Sequence, residues 1–71
     1  MKYRVQYTVN CMPMMQVLKS KKEVDKFLNQ FIKKYKSLDD ANAGNWVSHI
    51  FYGKELSVDG TYKWYAKAKD L

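Results

Sequence analysis

Residues 20–38, SKKEVDKFLNQFIKKYKSL, decide how this chain folds. Val24, Phe27, Leu28, Phe31, Ile32, Tyr35 and Leu38 recur at spacings of three and four, which places them on one stripe of a helix. Lys22, Asp25, Lys26, Asn29, Lys33 and Lys36 take the opposite side. Ser20, with Glu23 three residues later, fits a capping box, in which each side chain satisfies a free N–H of the first turn. Lys33, Lys34 and Lys36 lie near the C-terminal end, where positive charge opposes the negative pole of the helix dipole.

Upstream, residues 2–10 alternate. Tyr3, Val5, Tyr7 and Val9 share one face; Lys2, Arg4, Gln6 and Thr8 share the other. That period of two, with β-branched and aromatic residues, predicts a half-buried strand. Asn10 and Pro13 in NCMPM predict a loop, and MMQVLKS a short second strand paired with the first. Downstream, DDANAGN (39–45) is rich in turn formers and predicts a loop. WVSHIFYG (46–53) predicts a third strand. Asp59-Gly60 predicts the turn of a second hairpin. In the final strand Tyr62, Trp64, Ala66 and Ala68 face one way and Lys63, Tyr65, Lys67 and Lys69 the other.

Gly53 is read as a β-bulge, because a glycine inside a strand pattern often marks one. The bulge joins Trp46, Ile50 and Tyr52 to Tyr62, Trp64, Ala66 and Ala68 on the covered side. It leaves Val47, His49 and Phe51 on the other. The expected architecture is α+β and two-layered. A four-stranded antiparallel sheet of two hairpins (ββαββ) carries one amphipathic helix on one face. Ala66 and Ala68 let the helix sit close to the last strand.

A chain of 71 residues predicts one small domain, residues 1–71. Cys11 is the only cysteine, so no disulfide forms within the chain. Cys11 and the single His49 are too few for a structural zinc site. Stability must come from packing, helped by 15% aromatic residues, or from a homodimer. No apolar run is long enough to span a bilayer, and MKYRVQYTVN lacks the continuous apolar stretch of a signal peptide. These features predict a cytoplasmic protein that does not enter a membrane.

The charge is +6, from 13 Lys and Arg against 7 Asp and Glu. Such a balance suits an anionic partner, above all nucleic acid, but lysine also serves solubility alone. Placement decides between them. On the sheet face away from the helix, Arg4, Lys63, Lys67 and Lys69 surround Tyr65, His49 and Phe51. Cations among rings are what single-stranded nucleic acid requires: bases stack on rings and charges hold phosphates. The plainer reading is a solvated face with lysines that discourage edge-to-edge aggregation. The helix lysines form a second basic surface on the opposite side, which one ligand cannot easily share.

Catalysis finds little support. The residues beside His49 in the sequence offer no nucleophile or general-base arrangement. Cys11 has no cluster of cations to activate it. Asp39-Asp40 lacks the ligand spacing of a calcium loop. No glycine-rich phosphate loop is present. No cofactor or metal is expected. Met12, Met14 and Met15 gather at the first turn, either filling gaps or meeting a protein.

The order of one helix and two hairpins is similar to that of many small nucleic-acid modules and of small inhibitory proteins of mobile elements. The lysine- and tyrosine-rich composition resembles that of proteins from low-GC bacteria and their phages. With a single helix it differs from the two-helix aromatic-motif RNA-binding domain and from a helix-turn-helix. Two expectations follow. One is a non-enzymatic single-stranded nucleic-acid-binding module using the open sheet face. The other is a phage or mobile-element regulator that inhibits a host protein, through an added edge strand or the methionine-rich turn.

Overall fold

The computed structural model describes residues 2–56 and 58–60, with Leu38 and the last three by backbone alone. The elements follow as β1 (Lys2–Val9), β2 (Met12–Leu18), α1 (Lys21–Lys34), α2 (Leu38–Asn42), β3 (Trp46–Gly53) and β4 (Val58–Gly60). β1 lies between β2 and β3 and is antiparallel to both. β2 and β3 are therefore parallel to each other, which a tight hairpin cannot connect, and the helical segment makes the crossover.

The four-stranded sheet of two full hairpins is corrected. The body of the sheet is three-stranded, β2-β1-β3, and among the described residues β4 adds Val58–Gly60 along the outer edge of β3. Its register sets Val58 opposite Tyr52, Asp59 opposite Phe51 and Gly60 opposite Ile50. Asp59 and Gly60 thus stand in the ladder and do not form the turn. The chain reverses earlier, where the Leu56 N–H donates to the Gly53 carbonyl at 3.4 Å. Gly53 (φ 104°) and Leu56 (φ 55°) supply the left-handed backbone that a short β-turn loop needs. The inward and outward residues assigned to the final strand, at 62–69, lie outside the described residues.

The first hairpin turns on two residues. Asn10 and Cys11 both have positive φ, 52° and 67°, the geometry whose twist matches that of paired strands. Met12 and Pro13 consequently belong to β2 and not to a loop. A two-residue loop closes on a pair that exchanges backbone bonds, here Val9 and Met12. Alternation then turns the nitrogen of Pro13 toward the free edge, where no donor is missed.

α1 begins as the sequence indicates: the Glu23 N–H donates to Ser20 Oγ at 3.2 Å. The return bond differs, since Glu23 Oε2 accepts from the Lys19 N–H at 2.7 Å. The helix stops at Lys34, short of Leu38, because Tyr35 leaves helical geometry. The expected loop at 39–45 opens with a one-turn helix, α2, held by a reciprocal capping box between Ser37 and Asp40. Val24, Leu28 and Phe31 bury their side chains against Tyr3, Val5, Val47 and Ile50. Tyr7, Phe27, Phe31 and Tyr35 extend this core as a chain of ring contacts with centroids 4.8–5.9 Å apart.

The bulge is also corrected. It falls at Ser48, where the β1–β3 register shifts between Gln6 and Tyr7. The Ser48 hydroxyl donates to the Gln6 carbonyl at 3.0 Å, which pins the extra residue. Because the phase breaks there and not at Gly53, two assignments reverse. Val47 is buried beneath the helix, and Trp46 stands 51% exposed on the open side.

Candidate functional site

Residues directly opposite on neighbouring strands share a face. Arg4, Gln6 and Thr8 of β1 point away from α1, so their partners do as well. Three rows result: Val17–Arg4–Phe51, Met15–Gln6–His49 and Pro13–Thr8–Trp46. Lys2, at the end of β1, belongs to the same side by alternation and is exposed.

The structure brings together three of the residues assigned to a nucleic-acid site. The Arg4 guanidinium carbon lies 4.5 Å from the centroid of the Phe51 ring. His49 stacks beside Phe51, with centroids 5.7 Å apart and planes 16° from parallel. All three side chains are half-buried. A guanidinium over a ring is drawn by the ring quadrupole. Arg4 Nε and Thr8 Oγ1 are buried with no hydrogen-bond partner. Lys63, Tyr65, Lys67 and Lys69, the other assigned residues, lie outside the described residues.

Three open-face residues were missed in the sequence: Trp46, Met15 and Val17, each more than half exposed. Trp46 was legible had Ser48 been skipped in the alternation. Met15 and Val17 needed the register of β2, which its weak alternation does not give. Their presence makes this face more apolar than a row of cations and rings.

Lys22, Lys26 and Lys33 of α1, and Lys36 just beyond its end, are exposed on the helix side of the sheet. Cys11 is exposed, with its thiol 3.8 Å from the Ala43 carbonyl. Among the described residues, no group of three or more His, Cys, Asp or Glu side chains is placed to hold a metal ion. No helix among them is long and apolar enough to cross a membrane. Compared with models of known families, with characterised proteins and with solved structures, the chain matches none.

Proposed function

We propose that this chain is a small non-enzymatic binding protein of the cytoplasm that takes single-stranded nucleic acid on its open sheet face. The observation that carries this reading is the cluster of Arg4 over Phe51 with His49 alongside. Bases stack on guanidinium planes and on imidazole and indole rings. Trp46 supplies an exposed ring two rows away from Arg4. Lys2 and Arg4 supply charge for phosphates, and the net charge of +6 favours the encounter.

Fluorescence anisotropy with labelled single- and double-stranded oligonucleotides at two salt concentrations tests it. Saturable binding is expected, tighter for the single strand and weaker in salt through counterion release. Trp46→Ala removes a stacking surface and is expected to cost roughly 1–3 kcal/mol of binding. Arg4→Gln is expected to lower the salt slope by about 0.7, the share of one phosphate on a single strand. Absence of binding at low salt rejects this reading. It leaves the regulator of a host protein, which the exposed methionines of β2 favour.

A further inference from the structure

We infer that β2 is an interface, and that its occupant is β2 of a second copy of this chain. Among the described residues β2 is an outer strand of the sheet, with Met12, Met14, Met15 and Val17 each 44–65% exposed. Natural edge strands are usually blunted with charge, most often lysine. Here seven consecutive residues, Met12–Leu18, carry no charge in a chain of net charge +6. Two copies, each of net charge +6, repel at long range, and an uncharged segment adds nothing to that repulsion.

The backbone of this edge is self-complementary. From the Val9–Met12 closing pair, alternation leaves the N–H and C=O of Met15 and of Val17 pointing outward. At Pro13 only the carbonyl points out. At Lys19 the N–H is already held by Glu23. Met15 and Val17 are therefore the two residues of the strand with both groups to offer, and Gln16 stands between them. A two-fold axis through Gln16, normal to the sheet, sets Met15 against the partner's Val17 and Val17 against the partner's Met15. Every outward pair is then used, and the ladder ends at Pro13 against the partner's Lys19, where neither residue has an N–H to give. An isologous contact of this kind closes on itself and does not propagate.

Side chains fit the same axis. On the helix side, Met14 comes opposite the partner's Leu18. It arrives at an open groove of about 220 Å³ between β2 and α1, where Leu18 and Phe27 are bordered by Gln16, Glu23, Lys26 and Gln30. On the open side, Met15 and Val17 cover the corresponding pair. An axis normal to the sheet keeps both open faces on one side, so the two Arg4–Phe51–His49 clusters share a continuous surface. The inference stands whatever that surface binds.

Sedimentation equilibrium on the full chain tests it, over about two decades of concentration and at two salt concentrations. A monomer–dimer equilibrium is expected, strengthened by salt as the repulsion between like-charged copies is screened. Val17→Lys places an ammonium at the edge and is expected to weaken the dimer at least tenfold. Adding Met15→Glu to Val17→Lys is expected to restore it, because opposite charges then face each other twice across the axis. Far-UV circular dichroism and thermal melts confirm that each variant folds. A wild-type monomer throughout, a dimer indifferent to Val17→Lys, or no recovery in the double variant each overturns the inference. So does a complex formed only with some other protein.

Discussion

Gly44 has φ 89°, and a Cβ built on it collides with the backbone and thiol of Cys11. Nothing but glycine fits where the loop after α2 presses against the first hairpin turn. The Cys11 N–H donates to the Gly44 carbonyl at 3.1 Å, and the Asn10 N–H donates to Asn45 Oδ1 at 3.0 Å. Asn45, itself buried, returns its side-chain N–H to the Asp40 carbonyl at 3.0 Å. Gly44→Ala is expected to cost at least about 2 kcal/mol, through backbone strain and the broken clasp, read by urea denaturation. Cys11→Gly has the opposite sign. It builds the Asn-Gly pair preferred where both turn residues take positive φ, and is expected to add about 0.5–1 kcal/mol in the same measurement. The sequence marked Asn10, Asn42, Gly44 and Asn45 as turn formers. It did not show that two of these turns clasp each other, because those bonds join residues more than thirty positions apart.

The strands and the helix were legible where periodicity was strong. Val24, Leu28 and Phe31 of the stripe are buried, Phe27 and Tyr35 are half-buried beside them, and Tyr3 and Val5 face them. β3 shows where periodicity misleads. With Ser48 left out, Trp46, Val47, His49, Ile50, Phe51 and Tyr52 alternate outward and inward without a break. One inserted residue displaces the phase, and glycine drew attention to the wrong position. The Asp-Gly signal failed for a related reason. Gly53 and Leu56 already reverse the chain, and the dipeptide is drawn into the ladder. Deleting Ser48 is therefore expected to leave the fold intact, at a cost of about 1–2 kcal/mol for the Gln6 hydrogen bond and altered twist. A chain that fails to fold after this deletion contradicts the register described here; circular dichroism and a melting curve decide it.

At the scale of the molecule, one helical layer covers one side of the sheet, and among the described residues no element packs on the other. Composition indicated a basic protein, but not which side holds the charge. Arg4 was assigned to the open face from alternation, and His49 and Phe51 were assigned to it through a bulge read at Gly53. Trp46, Met15 and Val17 were not, because their side of the sheet depends on a bulge and on a pairing register. The lysines of α1 lie on the helix side of the sheet, so the two surfaces separate in any mapping experiment. The most direct test is an NMR titration of the ¹⁵N-labelled protein with a short single-stranded oligonucleotide at low salt. The account predicts shifts at Arg4, Gln6, Thr8 and His49 and at the Trp46 indole N–H, with Lys22, Lys26 and Lys33 unmoved. Shifts confined to those helix lysines, or none at all, would contradict it.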